Sequence, residues 1–309
     1  MSKIKKTTIL LLRLMLASIA MFIAYMLSTL VIGETNTTMT VEEASRAGQV
    51  LFIVSCINAL VLSYPILSSP RHGLKLIVAV ILIQFGVETF MSQIETLYFN
   101  RTLQLATTVF IRIVGAGAIR AMVFAPLAVF IFGKLRKSVL PESKWSSTPL
   151  LAWSLRLMAL AVLYVIFYFL FGYFVAWQWE ETRLFYSGTT AIQPFLDHFR
   201  GLFSTQPNIL PFQLLRGALW SMLAIAISSM MKAKRWEASL AVALIFAGLL
   251  SSGIGLFPNP YMPDIVRQSH FFELLSSMLL FGGIAGWVFH EHATRYQSID
   301  RDIVTDAAR

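Results

Sequence analysis

Six ionisable side chains stand out because they fall inside otherwise apolar stretches: Glu88, Glu95, Arg112, Arg216, His270 and Glu273. In an apolar setting such a group has to be paired, protonated or wetted. Gln84, Glu88, Ser92 and Glu95 are separated by steps of four, four and three, so they share one stripe of a helix. His270 and Glu273 are three apart and lie on one helix face, a spacing that suits a general base and its orienting carboxylate. Arg112 and Arg216 bring guanidinium groups, whose fork of donors matches carboxylate and phosphate. Arg112 and Arg120 are eight apart, with Gly115 and Gly117 between them to admit a neighbouring helix.

Other chemistries find less support. Glu88, Glu95, His270 and Glu273 together would offer a metal one nitrogen and several oxygens, but a single histidine is a thin ligand set and no metal is expected. His290-Glu291-His292 lacks the i, i+4 histidine spacing of a zinc helix and reads as a solvated helix end. Glu180-Glu181-Thr182-Arg183 resembles the double-Glu motif of intramembrane CAAX-type proteases. Its spacing to Arg is short and it falls in a loop, so that reading is rejected. No phosphate-binding glycine loop, dinucleotide fingerprint or nucleophile elbow occurs, and Ser276 and Ser277 have no evident partner base. No cofactor is expected.

The elements that must position these residues are long apolar segments. The chain has 309 residues, 57% of them hydrophobic and 13% charged. That excludes a disordered chain, an ordinary soluble enzyme and a basic nucleic-acid-binding domain, since soluble domains carry roughly a quarter charged residues. Eight segments are long enough to span a bilayer: 8–32, 49–67, 74–98, 105–133, 149–176, 211–231, 237–256 and 267–290. Backbone groups in hydrocarbon must be bonded internally, so these are helices, and the alternation of an outer-membrane barrel is absent. The expected fold is all-α, a single integral membrane bundle of eight transmembrane helices. The first run is too long for a signal-peptide core and reads as an uncleaved span. With one cysteine, Cys56, no intramolecular disulfide is possible.

Sixteen of the 25 Lys and Arg residues fall on one side of these segments, five on the other and four within them. The richer side is expected to be cytoplasmic, so both termini are inside, as an even number of spans requires. The net charge of +9 is therefore a topology signal. At 1.5 Å per residue, Glu88 lies roughly 15 Å below the outer end, Arg112 roughly 10 Å, Arg120 roughly 22 Å and Arg216 roughly 8 Å. The six residues named first converge on the outer half from four spans.

Two outer connections are long. Residues 33–47 are polar and acidic, whereas 177–210 carry seven Trp, Tyr and Phe residues and read as an interfacial segment, helical around 192–203, or as a lid over a pocket. Leu12-Arg13-Leu14-Met15 and Leu155-Arg156-Leu157-Met158 hint at two parallel four-span halves.

Residues 90–99 (FMSQIETLYF), 211–220 (PFQLLRGALW) and 259–273 (NPYMPDIVRQSHFFE), with 173–177 (YFVAW) and 185–188 (FYSG), resemble a group of bacterial multi-pass inner-membrane proteins of no established activity. The resemblance covers most of spans three to eight. It implies a bacterial cytoplasmic membrane and draws attention to Glu95, Arg216, Arg267, His270 and Glu273.

Two arrangements remain open at this level. The charges form buried ion pairs that set helix register, or they line a polar cavity open to the outside. Three functions follow. The first is a transporter or binder of a small anionic or lipid-headgroup ligand, with Arg112 and Arg216 attracting it. Burial favours a neutral carboxyl, so Glu88 is the candidate carrier of a coupled proton. The second is a membrane-embedded enzyme acting on a lipid-linked substrate, with His270 as base and Glu273 orienting it. The third is a non-catalytic scaffold or accessory subunit, whose protein partner the residues do not name.

Overall fold

The computed structural model describes residues 3–32, 40–100, 105–136, 150–256 and 262–306. Among them every regular element is helical. Eight helices are long and apolar enough to cross a membrane: Lys3–Leu30, Val41–Ser68, Gly73–Tyr98, Thr107–Ile131, Leu150–Gln178, Ile209–Met230, Arg235–Leu256 and Asp264–His290. They match the eight expected segments in order, and are called spans one to eight.

The differences lie at the ends and have local causes. Span two starts at Val41, eight residues before its apolar run. Thr40 and Glu43 close a capping box there: Thr40 N–H donates to Glu43 Oε2 (2.9 Å) and Glu43 N–H donates to Thr40 Oγ1 (3.2 Å). Thus 41–47, expected as loop, are helix. The long aromatic connection holds two short helices, Glu180–Ser187 and Phe195–Thr205. The helix of span eight continues to Asp306. His290 is therefore not a solvated helix end. It is buried, with Nε2 2.6 Å from the Ala233 carbonyl. The expectations for 33–39, Arg101, Lys137, Lys144 and 259–261, and for side chains beyond His290, lie outside the described residues.

Span one packs on spans two and four, and span five on spans six and eight. Spans seven and eight share the most extensive seam. Small residues make it possible: a Cβ at Gly286 would lie 2.8 Å from Ser239 Cα, and one at Gly282 would lie 2.9 Å from Ala243 Cα. Ser239 Oγ donates to the Gly283 carbonyl across the seam (2.6 Å). Span seven is the central helix, with 61% of its apolar window buried against 28% for spans one and five. At one end of the bundle, called the basic end, the short connections interlock. Gly133 adopts a φ of 72° that L side chains resist, and the next residue, Lys134, accepts from Gly73 N–H through its carbonyl (2.8 Å) and donates from Nζ to the Ser69 carbonyl (2.9 Å).

In a free helix, Gly→Ala gains about 1 kcal/mol. Gly286→Ala is expected to do the reverse and lower the thermal midpoint in detergent by several degrees. Gly201→Ala, where a Cβ meets open space, is expected not to lower it. Equal midpoints for the two variants would remove the seam from the account.

Candidate functional site

The half of the bundle away from the basic end contains one large cavity of about 1860 Å³. Its walls come from all eight spans and from helix Phe195–Thr205. Glu88, Glu95, Arg112, Arg216, His270 and Glu273 all line it. Both arrangements left open by the sequence occur together: the residues line one cavity, and ion pairs hold Glu88, Glu95, Arg216, His270 and Glu273 in its wall.

The deepest group centres on Glu88, buried in span three. Here the helix opens into a π turn, Phe85–Phe90, of the kind that interrupts helices at functional sites. The turn is held by close packing, since a Cβ on Gly117 would collide with Thr89 Oγ1 at 2.1 Å. Tyr25 OH of span one donates to Glu88 Oε1. Asn58 of span two donates through Nδ2 to Tyr25 OH (2.7 Å) and reaches Glu88 Oε1 at 3.4 Å. Ser252 donates to Asn58 Oδ1 (2.9 Å) from the second π turn, Ser252–Leu256, in span seven. Arg120 Nε of span four lies 3.2 Å from Glu88 Oε1, and its guanidinium carbon sits 4.3 Å from the centroid of the Tyr25 ring. Five spans therefore meet at one carboxylate.

Arg120 is the partner that counting helix rise set too deep. The Cα–Cβ bonds of a helix tilt toward its N-terminus. Span four starts at the cavity end, so Arg120 reaches toward that end. Span three starts at the basic end, so Glu88 leans down to meet it. Tyr25 and Asn58 carry no charge and sit in apolar runs, so only the need of Glu88 for partners pointed toward such residues. Arg120 supplies the countercharge to the buried carboxyl group.

A second group lies nearer the mouth. Arg216 of span six is almost fully buried and donates from Nη2 to Glu95 Oε2 (2.7 Å) and to the Met91 carbonyl (3.3 Å). Its Nη1 donates to Gln213 Oε1 (3.0 Å). Tyr164 and Phe212 flank the guanidinium at 5.7 and 5.8 Å, within cation–π range. Two buried donors here, Arg216 Nε and Gln213 Nε2, have no protein acceptor.

The third group joins span eight to the short helices. Nδ1 of His270 lies 2.7 Å from Glu273 Oε2, and Nε2 lies 3.0 Å from Tyr186 OH. Tyr186 is outside the spans, and burial pushes its hydroxyl above the ordinary phenol range. The Glu273 carboxylate accepts from His270 Nδ1–H, and Nε2 faces the Tyr186 hydroxyl. Thr182 and Ser269 hydroxyls meet at 2.7 Å beside this contact and tie Glu180–Ser187 to span eight. Arg112 stands exposed on the span-four wall of the cavity.

Helix Phe195–Thr205 completes the wall. Phe199 and Phe203 meet Phe169 edge-on, Phe195 meets Tyr173, and His198 lies against Trp177. Partial burial holds His198 below the usual imidazole value, so it is neutral at pH 7. Among the described residues, no three His, Cys, Asp or Glu side chains are grouped to hold a metal ion.

Set against protein-family models, curated proteins and solved structures, the chain matches none.

Removing one member of a buried ion pair costs about 3–5 kcal/mol, because the other charge is left uncompensated. Arg120→Met should therefore destabilise strongly in detergent unfolding, and adding Glu88→Gln should restore much of the loss. Additive losses would show that the two residues do not act as a pair.

Proposed function

We propose that the chain is a multi-pass protein of a bacterial cytoplasmic membrane, with both termini inside, that binds or transports a small anion or an anionic headgroup through the outward cavity. One observation carries the reading. Arg216 lies at the cavity wall, buried and fixed by Glu95 and Gln213, yet keeps Nε without a protein acceptor. A buried donor left unpaired is costly, and an oxyanion entering the cavity would satisfy it. Arg112, from span four, adds a second guanidinium to the lining. The orientation is supported by the bias of Lys and Arg toward the basic end. The bacterial membrane is supported by the resemblance carried by spans three to eight.

Two parallel halves, spans one to four and five to eight, form the single domain. Supporting this, span one packs on two and four as span five packs on six and eight, and spans three and seven each contain a π turn. The cavity lies where the halves meet, the usual place for a transporter's binding site.

The His270–Glu273 contact favours a second reading, an enzyme acting on a lipid-linked substrate. A histidine whose Nδ1–H is held by a carboxylate is a poised base once Tyr186 gives way at Nε2.

Native mass spectrometry of protein released from mild detergent tests the first reading. The expected result is a reproducible non-protein adduct, lost in Arg216→Ala and retained in Lys134→Ala at the basic end. A wild-type chain that stays bare with phosphate and anionic lipid added would contradict it. His270→Ala should leave the adduct mass unchanged; a different mass accumulating in that variant would put the enzyme first.

A further inference from the structure

We infer that the ligand is an amphiphile, an anionic lipid whose headgroup sits among the charged residues and whose chain leaves sideways between spans four and five. This rests on the anion-binding reading of the cavity. Four observations carry it.

The cavity is built in two parts. Its inner wall is ionic, with Glu88, Glu95, Arg216 and Glu273. Its side wall is apolar and aromatic: Phe167 and Phe169 from span five, Val109 and Ile113 from span four, and Phe199 and Leu202 from helix Phe195–Thr205. A fully hydrated small ion has no use for that second wall, whereas an acyl chain does.

Size points the same way. The volume of about 1860 Å³ exceeds the roughly 300–1,000 Å³ of sites for drug-sized molecules.

There is also an exit. Spans four and five both line the cavity, yet share no packed seam among the described residues. Span four packs on one and three, and span five on six and eight. On this reading the cavity opens to the bilayer between them.

Helix Phe195–Thr205 packs on span five beside the cavity, in an arrangement suited to the membrane surface. Phe195, His198, Phe199 and Leu202 form its half-buried face, and the last three line the cavity. Leu196 is exposed beside the charged Asp197 and Arg200, which pair at 3.2 Å. An amphipathic helix with an apolar residue outside its protein contact lies at the headgroup–acyl boundary. There it would admit a chain while its charged edge stays in water.

The test compares three probes on the detergent-solubilised full chain by equilibrium binding: phosphatidylglycerol, soluble glycerol phosphate and neutral phosphatidylcholine. Phosphatidylglycerol is expected to bind at least about tenfold more tightly than either of the others, a factor set by adding chain burial to headgroup pairing. Ile113→Trp, which fills the gap, should weaken the lipid about tenfold and leave glycerol phosphate unchanged. Leu202→Trp, on the surface helix where folding is least at risk, should act in the same direction. Glycerol phosphate binding as tightly as the lipid, with both tryptophan variants silent, would overturn the amphiphile and leave the anion reading standing. Phosphatidylcholine equal to phosphatidylglycerol would overturn the anionic headgroup. Binding of none of the three would bring down both readings.

Discussion

A carboxylate in the middle of an apolar bundle has to be held, and the structure is arranged around holding Glu88. Its partners come from spans one, two and four, and through Asn58 from span seven. None of those helices can turn or slide by a residue without leaving a polar group unpaired in low dielectric. The π turn at Phe85–Phe90 belongs to the same requirement, because it sets the carboxylate and Thr89 against span four at close range. Buried polar groups give little net stability but penalise every other register heavily. The glycine seam between spans seven and eight works in the complementary way, by allowing backbones to approach closely enough for Ser239 to reach the Gly283 carbonyl.

With the deep pair fixed, the halves of the bundle are joined on one side and left apart on the other. Spans two and seven, and spans three and six, connect them. Spans four and five share no packed seam among the described residues, and both line the cavity. Nearer the mouth, Glu95 pairs with Arg216 and His270 with Glu273. The charges thus hold helices together and line the cavity at once.

The architecture was legible because hydropathy and charge bias are carried by many residues at once: eight apolar runs, and a skew of Lys and Arg too large to be local. The six suspected residues were legible individually, since ionisable groups in apolar runs are rare, and all six line the cavity. Of their contacts only His270–Glu273 was, from its i, i+3 spacing; the pairs between spans were not. Arg120 was set too deep by a count of helix rise that ignored the opposite tilt of side chains on antiparallel helices. Tyr25 and Asn58 are unremarkable in sequence, and a π turn has no residue signature. The early start of span two was written in Thr40 and Glu43 but was outweighed by the polarity of the segment.

The central claim is that the ionisable residues face a water-filled cavity reached from the end opposite the basic connections. Single cysteines in a Cys56→Ser background, probed in intact cells with a membrane-impermeant maleimide, test it most directly. Thr96→Cys and Ser277→Cys, both on the cavity wall, should react from outside. Ser228→Cys, buried in span six away from the cavity, should not. Silence at Thr96 and Ser277, or reaction only after the cytoplasmic side is opened to the reagent, would contradict the cavity or its orientation.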